Sequence, residues 1–243
     1  GEDRAGAGRA AGRPALSPAP APRAAVFDLD GTLVDSVPDL AAALNRTLAE
    51  AGLPPHNTEA VARMVGHGVE RLVERGFAAA GAPLDMAALP RWVERFLAFY
   101  AEDLSTLTRP YPGVPEMLDA LAAAGWRLGV CTNKPTALAA ELLDALGLAQ
   151  RFGAVVGGDA APERKPHPAP LLMALDRLGV PAASAVFVGD SGTDALTARA
   201  AGLPVVLVRG GYTAVPVEEL GADAVVDAFA AVPAALEALL PAA

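Results

Sequence analysis

Asp28 and Asp30 stand two residues apart, directly after the apolar run AAVF. If that run is a strand, its period of two places both carboxylates on the same side of the strand end. Two carboxylates at that distance can serve as a nucleophile and an acid/base, or can hold a divalent cation. The dipeptide Asp30-Gly31 is also typical of a plain turn, so this segment alone leaves both interpretations open.

Two further polar segments follow apolar runs. Thr132-Asn133-Lys134-Pro135 comes after LGVC. A hydroxyl beside free backbone amides at a helix start can hold a phosphate, although Thr132 could also be an ordinary helix cap. Lys165 precedes two prolines that stiffen its backbone. Only two of the 19 basic residues are lysines, which favours a specific role for Lys165 over that of a solvated surface residue. His167 is interpreted as a packing or capping residue.

A fourth segment, GDSGTD, follows the apolar run SAVFV and contributes Asp190 and Asp194. Its glycines, Gly189 and Gly192, are expected to let a ligand approach the backbone. A turn with a helix cap is the alternative. Together the four segments offer four carboxylates, a hydroxyl and an ammonium group.

Helices and strands alternate after residue 113, which predicts the fold class. Helices are predicted at 114–124, 135–146, 168–178 and 192–201, each followed by a glycine, and strands at the runs WRLGVCT, FGAVVGG, SAVFVGD and PVVLVRG. Continuous apolar strands that alternate with helices indicate an α/β fold, a parallel Rossmann-like sheet with helices on both faces. Such sheets bind ligands at the carboxyl ends of their strands, so the four polar segments are expected to meet there.

The first strand is separated from this alternation by a stretch of helical character. We interpret 23–35 together with 109–243 as an α/β core domain and 36–108 as an inserted helical cap domain, and we predict a flexible tail at 1–22. Ser36, with Asp39 three residues later, predicts a capping box at the start of the cap. The cap holds five aromatic residues, Phe77, Trp92, Phe96, Phe99 and Tyr100.

Composition excludes several classes of protein. The 243 residues carry a formal net charge of −9, which disfavours a nucleic-acid partner. The chain contains no uninterrupted apolar stretch of about 18 residues, so no membrane span is expected. Its single cysteine, Cys131, excludes an internal disulfide and predicts a reducing, cytoplasmic location. Three histidines and one cysteine are too few and too dispersed for a zinc site.

The predicted acidic cluster needs a counter-charge. Four carboxylates at one edge of a sheet repel one another unless a cation binds, and Mg²⁺ is the oxygen-preferring ion expected there. Mg²⁺ and Lys165 would together attract a phosphate despite the negative net charge. The sequence therefore predicts phosphoryl transfer from a small-molecule phosphate ester to a carboxylate.

DLDGT, TNKP, KPHP and GDSGTD, in this order, resemble the motifs of the haloacid dehalogenase-like hydrolase superfamily. The resemblance spans residues 24 to about 230 and implies that 36–108 is the helical cap of that superfamily. It also implies that Asp28 attacks phosphorus to form an aspartyl-phosphate. Asp30 would protonate the leaving group and later deprotonate the hydrolytic water.

The same resemblance implies the binding roles. Thr132 and Lys165 would hold the phosphoryl oxygens, with Asn133 beside them, and Lys165 would also offset the charge of the nucleophile. The Mg²⁺ ligands would be Asp28, the backbone carbonyl of Asp30, Asp190 and, through the metal's water shell, Asp194.

The reaction type and substrate class follow from a closer resemblance. A carboxylate at position 30 resembles the phosphatases and phosphomutases of the superfamily, not its dehalogenases or its phosphonate-cleaving branch. MVGHGVERLVER, CTNKP, VGGD and GYT are similar to phosphoglycolate phosphatases, which implies hydrolysis of 2-phosphoglycolate. The alternatives are a phosphatase for N-acetylmuramate 6-phosphate or pyrophosphate, a sugar phosphomutase, and a non-enzymatic regulatory module. The last is disfavoured because every catalytic residue type is present. A monomer or a homodimer is expected.

The cap is predicted to recognise the carboxylate of such a substrate. Gly66-His67-Gly68 interrupts the helical pattern and leaves free amides at the start of the helix that carries Arg71. Gly66, His67 and Arg71 are therefore the predicted contacts to the substrate carboxylate. In the alternative, Arg71 only pairs with Glu74 on the helix surface and His67 only caps.

Overall fold

The structure is a computed structural model that describes residues 22–240. Apart from Pro22, the tail predicted at 1–22 lies outside the described residues. The strands are β1 (Arg23–Phe27), β2 (Val34–Asp35), β3 (Arg109–Pro110), β4 (Trp126–Cys131), β5 (Ala154–Val156), β6 (Ala185–Gly189), β7 (Val205–Val208) and β8 (Ala224–Val226). The helices are α1 (Val37–Glu50), α2 (Thr58–Ala62), α3 (Val69–Ala79), α4 (Leu89–Glu102), α5 (Val114–Ala123), α6 (Thr136–Ala145), α7 (Ala169–Leu178), α8 (Gly192–Ala201) and α9 (Val232–Leu239).

Six strands form one parallel sheet in the order β5-β4-β1-β6-β7-β8. The α/β fold class is confirmed, and the four predicted core helices lie within about one residue of their expected bounds. Beyond the two short strands β2 and β3, the elements β8 and α9 were not predicted. They follow the last predicted strand, and their short apolar segments carry no clear period.

Both faces of the sheet are buried, which explains why its strands are apolar throughout. In β1, Ala25 and Phe27 pack into one hydrophobic cluster, together with α5, α6 and α9. Ala24 and Val26 point to the other face, where α7 and α8 cover them. A strand buried on both sides cannot alternate polar and apolar residues.

The inserted segment is helical, as predicted. Helices α1 to α4 lie between β2 and β3 in the chain, and α1 packs against α3 and α4. Two aromatic pairs fill the interior of this cap: Phe77 with Trp92, whose ring centroids are 5.1 Å apart, and Phe96 with Tyr100, at 5.7 Å. Among residues 22–240, none of the helices combines the length and apolar character needed to cross a bilayer.

The chain leaves and re-enters the core through a short antiparallel pair, β2 with β3, in which Val34 lies opposite Pro110. Two-residue strands have no period that a sequence could reveal. The proposed domain boundaries, between residues 35 and 36 and between 108 and 109, fall at these strands.

The predicted capping box at the start of α1 is wrong. The Asp39 carboxylate turns to the returning chain, where it accepts hydrogen bonds from Leu107 N, from Thr108 N and from Thr108 Oγ1. The amides of Ser36 and Val37 donate to the Tyr212 hydroxyl at 2.8 and 3.2 Å. Tertiary partners thus take over the groups that a local capping box would have used.

Candidate active site

Four polar loops meet at the carboxyl edge of the sheet. Asp28 follows β1, Thr132 follows β4 and Asp190 follows β6, and these three strands are neighbours in the sheet. Lys165 lies in the loop between β5 and α7, and its backbone carbonyl accepts a hydrogen bond from Asn133 Nδ2 at 3.1 Å. Parallel strands all end at this edge, so segments far apart in the chain converge there.

Lys165 joins two buried carboxylates. Its Nζ lies 2.9 Å from Asp28 Oδ1 and 2.7 Å from Asp194 Oδ1, and its side chain is 1% exposed. Burial raises the pKa of Asp28 to about 8; Lys165 opposes this shift, and the charges of Asp194 and Asp190 add to it. Burial alone would lower the pKa of Lys165, but Asp194 and Asp28 raise it above its ordinary value. The lysine therefore stays charged beside the predicted nucleophile.

Fixed donors orient the other two carboxylates. Asp190 Oδ1 accepts from Thr32 Oγ1 and Asp190 Oδ2 accepts from Tyr212 N, both at 2.8 Å. Asp194 Oδ2 accepts from Ser191 N at 3.1 Å, which is part of a capping box at the start of α8, and it also accepts from Ser191 Oγ at 2.7 Å. The capping alternative considered for this segment is therefore also correct, because Asp194 caps a helix with one oxygen and pairs with the lysine through the other.

The cluster of carboxylates fits a cation. One oxygen each from Asp28, Asp190 and Asp194 lies within 4.8 Å of the other two. Burial raises the pKa of Asp190 to about 7, and the charge of Asp194 adds to that shift. Buried like charges repel, and carboxylate oxygens are the donors that hard divalent cations bind. The donor set thus suits a divalent metal ion.

Glycines near this cluster make room for side chains of the protein itself. A Cβ at Gly189 would lie 2.4 Å from Asp194 Cβ, and one at Gly31, whose φ is +87°, would lie 2.7 Å from Asp190 Oδ2. The expectation that Gly189 lets a ligand approach is therefore wrong, because Asp194 fills that space. Glycine is required there for close packing of a carboxylate.

The side chain of Asp30 faces the second lysine. Lys134 Nζ donates to Asp30 Oδ1 and Oδ2, both at 3.0 Å, and to the hydroxyl of Tyr100 in α4 at 2.9 Å. Burial alone would lower the pKa of Lys134, but the charge of Asp30 and the contact with Tyr100 raise it above its ordinary value. The two predicted catalytic aspartates are thus each paired with a different lysine.

The loop after β4 is built differently from a simple helix cap. Thr132 is 2% exposed, and its Oγ1 accepts from Lys134 N at 3.2 Å. The capping interaction of α6 comes instead from Asp159, whose Oδ1 accepts from Thr136 N at 2.8 Å. Asn133 Nδ2 donates to Gly66 O at 3.1 Å as well as to the Lys165 carbonyl. Asn133 therefore links the core to the cap, in addition to bordering the site.

A cavity of about 400 Å³ separates the carboxylates from the cap. Its walls include the predicted Gly66 and His67, together with the unpredicted Arg63, Arg75 and Tyr212. Asp28, Asp30 and Asp190 line the opposite side. The cavity thus has a carboxylate-rich core wall and a basic cap wall.

The structure places Arg71 away from this cavity. Its Nη1 donates to Glu74 Oε2 at 2.6 Å, and its side chain is 62% exposed, which is the surface-pair alternative. Arg75, one turn further along α3, lines the cavity instead and donates to Met64 O at 3.1 Å and to His67 Nδ1 at 3.3 Å. The helix α3 offers two arginines, and only its packing against α1 and α4 decides which of them faces the site.

Comparison with known proteins agrees with this geometry. The family model described as haloacid dehalogenase-like hydrolase matches residues 25–208. A phosphoglycolate phosphatase of Rhodospirillum rubrum is 54% identical over 213 residues, which cover 86% of this chain and 88% of the relative.

Solved structures share the fold. A predicted phosphoglycolate phosphatase from Haemophilus somnus has a TM-score of 0.82 at 36% identity, covering 88% of this chain and 97% of that one. CbbY from Rhodobacter sphaeroides, solved in complex with phosphate, has a TM-score of 0.69 at 31% identity, covering 86% of this chain and 95% of that one. With its motifs, its fold and its family match in agreement, the chain belongs to the haloacid dehalogenase-like hydrolase family.

Proposed function

We propose that this protein is a Mg²⁺-dependent phosphatase that hydrolyses 2-phosphoglycolate to glycolate and phosphate. The observation that carries the proposal is the buried Asp28, paired with Lys165 at 2.9 Å and clustered with Asp190 and Asp194 beside a cavity of about 400 Å³. The substrate is inferred from the phosphoglycolate phosphatase of R. rubrum, which is 54% identical.

The reaction has two halves. In the first, a carboxylate oxygen of Asp28 bonds to phosphorus, the bond from phosphorus to the leaving oxygen breaks, and Asp30 gives that oxygen a proton. In the second, Asp30 takes a proton from a water that attacks the aspartyl-phosphate, and phosphate leaves with Asp28 restored. Lys165 and Thr132 hold the phosphoryl oxygens throughout.

The carboxylate cluster would hold the metal. Asp28, Asp190 and the backbone carbonyl of Asp30 are the proposed ligands, and Asp194 would orient bound water. When bound, Mg²⁺ would offset the negative charge on the phosphoryl oxygens, which otherwise repel the attacking carboxylate. Lys165 would have the same effect, since its charge is retained in the buried site.

The cap would select the substrate. A carboxylate two bonds from the phosphate ester oxygen needs a cation within the same cavity, and Arg75 is placed on its cap wall beside Gly66 and His67. Since Arg71 is paired with Glu74 on the surface, we assign the carboxylate contact to Arg75 in its place.

A cytoplasmic location and a monomeric or homodimeric state belong to the same proposal. The location is supported by the buried free thiol of Cys131.

A phosphate-release assay over a panel of metabolite monoesters, with Mg²⁺ and with EDTA, tests the proposal. We expect 2-phosphoglycolate to give the highest kcat/KM and EDTA to abolish turnover. N-acetylmuramate 6-phosphate, pyrophosphate and sugar phosphates belong in the panel. Preference for one of them would overturn the assigned substrate, and isomerisation of a sugar phosphate without phosphate release would indicate a mutase. Hydrolysis unaffected by EDTA would overturn the metal dependence.

A further inference from the structure

Lys134 is a buried cation whose partners all lie within the protein. Its side chain is 3% exposed, and an ammonium group has three N–H donors. Two of them reach Asp30 Oδ1 and Oδ2 at 3.0 Å, and the third reaches the Tyr100 hydroxyl at 2.9 Å. Its donors are fully used before any substrate arrives, which distinguishes it from a residue waiting for a phosphate.

Tyr100 belongs to the cap, whereas Lys134 and Asp30 belong to the core loops. Tyr100 is 1% exposed in α4, and the Lys134 Nζ also lies 4.7 Å from the centre of its ring. Burial raises the pKa of Tyr100 to about 12, so its hydroxyl stays neutral. A cap residue thus fixes the lysine through both a hydrogen bond and its aromatic face.

We propose that Lys134 and Tyr100 are positioning residues for the acid/base carboxylate of Asp30, and that Tyr100 makes this positioning depend on the cap. The inference rests on the proposed phosphatase function. Lys134 holds the carboxylate through both oxygens, so its plane is fixed. A proton donor that is fixed in place contributes most when the leaving group is a poor one, because a poor leaving group needs its proton as the bond to phosphorus breaks.

The two lysines therefore have different proposed roles, Lys165 at the nucleophile and Lys134 at the proton donor. Lys165 touches the nucleophile Asp28 and so affects phosphoryl transfer to every substrate, whatever the leaving group. Of the two catalytic aspartates, Lys134 contacts only the proton donor Asp30, so its effect is expected to grow as the leaving group becomes more basic. The dependence of kcat/KM on the basicity of the leaving group therefore tests the proposal, because a purely structural role for Lys134 would leave that dependence unchanged.

The test measures kcat/KM for a series of aryl phosphates whose phenols differ in acidity, from p-nitrophenyl phosphate to phenyl phosphate, at fixed pH and saturating Mg²⁺. For Lys134→Met we expect a loss of about 10²-fold with phenyl phosphate and less than about 5-fold with p-nitrophenyl phosphate. A steeper dependence of kcat/KM on the leaving group in the variant is the result that identifies a positioning role for Lys134. It does not need 2-phosphoglycolate as the substrate, so a wrong substrate assignment and a wrong role for Lys134 are told apart.

Tyr100→Phe and a matched control separate positioning from cap stability. Tyr100→Phe removes only the hydroxyl and is expected to steepen the same dependence, with a loss of about 3- to 10-fold for phenyl phosphate. Phe96→Leu is the control, because Phe96 stacks on Tyr100 in the same helix and has no hydroxyl that could accept a hydrogen bond from the lysine. It should lower the melting temperature and leave the leaving-group dependence unchanged.

Two outcomes would overturn the inference. Equal losses for all aryl phosphates in Lys134→Met would make Lys134 a general charge in the site or a structural residue. The same steepening in Phe96→Leu as in Tyr100→Phe would assign the effect to loss of cap packing. If Lys134→Met fails to fold, Tyr100→Phe decides: a steeper dependence on the leaving group supports the inference, and an unchanged dependence overturns it, because the proposal requires the Tyr100 hydroxyl to hold Lys134 against Asp30.

Discussion

The two walls of the cavity are built on different principles. On the core wall, Asp28 and Asp190 are almost fully buried, and each is held by a partner from a separate loop, Lys165 for Asp28 and Thr32 for Asp190. On the cap wall, Arg63 and His67 are exposed and Arg75 is partly exposed. A buried, fully paired charge has little freedom, whereas an exposed arginine can turn to solvent or to a substrate.

This difference suggests that residues of the core wall carry out the reaction and that residues of the cap wall select the substrate. The core wall, whose geometry is fixed by strand ends and buried ion pairs, is the proposed contact to the phosphate that every substrate shares. The cap wall faces the variable part of the substrate. Variants of Asp28 and of the carboxylates clustered with it should therefore affect all substrates alike, variants that act through Asp30 should depend on the leaving group, and variants of Arg75 on the cap wall should depend on the rest of the substrate.

The largest effect is expected at the nucleophile. Asp28→Asn keeps the shape of the side chain and removes the attacking charge, so kcat should fall by about 10³-fold or more on 2-phosphoglycolate and on p-nitrophenyl phosphate. Circular dichroism and the melting temperature check that the fold is intact. Residual activity above a few percent with either substrate would contradict the covalent mechanism and the uniformity expected of the core wall.

A second prediction compares two carboxylates of the core wall, Asp190 as a proposed metal ligand and Asp30 as the proposed acid/base. Asp190→Asn should weaken Mg²⁺ binding by about 10- to 100-fold, because it removes a proposed ligand held by Thr32 and Tyr212. Asp30→Asn should abolish turnover and leave Mg²⁺ affinity within about 3-fold, since its side chain pairs with Lys134 and only its backbone carbonyl is a proposed ligand. Calorimetric titration with Mg²⁺ measures both. Equal weakening in the two variants would show that the side chain of Asp30 binds the metal.

The cap wall offers a matched pair of arginines on one helix. Arg75→Ala should raise KM for 2-phosphoglycolate by about 10-fold and change p-nitrophenyl phosphate hydrolysis little, because the latter has no carboxylate to lose. Arg71→Ala is the control and should change neither, since Arg71 pairs with Glu74 on the surface. If Arg71→Ala raised KM and Arg75→Ala did not, the assignment drawn from the cavity would be reversed. Equal losses on both substrates in Arg75→Ala would make it a support of the 64–67 loop.

The smallest effect concerns stability. Without metal, the folded pKa values of Asp28, about 8, and Asp190, about 7, exceed their ordinary 3.8 because of burial, so the folded state holds protons that the unfolded chain releases. Their contribution to stability is present below about pH 4 and is lost as pH rises through 7 to 8. Mg²⁺ should therefore raise the melting temperature more at pH 8, by about 5 to 10 °C, than at pH 5, by about 2 °C or less.

Thermal unfolding with Mg²⁺ or EDTA at the two pH values measures this gain. Asp190→Asn should lose most of the gain at pH 8. A gain of equal size at both pH values would mean that protons and metal do not compete for these carboxylates.

Much of the core wall could be predicted from sequence. Apolar runs end in Asp28, Thr132 and Asp190, and parallel strands must end at a common edge, so the convergence of these residues follows from local pattern and one topological rule. The resemblance of the motifs then assigned the chemistry. The helices beside these strands were likewise predictable, because each has a clear period and ends at a glycine.

Other features were decided only by tertiary contacts. Asp39 was predicted to cap its own helix and binds the returning chain instead, and Tyr100 looked like one more cap aromatic although its hydroxyl meets Lys134. Tyr212 reaches both the start of α1 and Asp35, across a long separation in the chain. Each of these side chains is polar and at least partly buried, so its partner is whichever group the fold brings within about 3 Å.

The choice between Arg71 and Arg75 shows most clearly what could not be predicted from the sequence. The two residues lie one turn apart on α3, so the helical period that the sequence reveals places them on nearly the same face. What separates them is the position of the helix above the sheet, which depends on how α1, α3 and α4 pack together. The edge of the sheet at which the reaction is proposed to take place can therefore be read from the amino-acid sequence, because local periodic patterns and the common direction of parallel strands define it. Which side chains face that edge from the cap depends on the folded structure, because packing between helices is set by many weak contacts that have no period of their own.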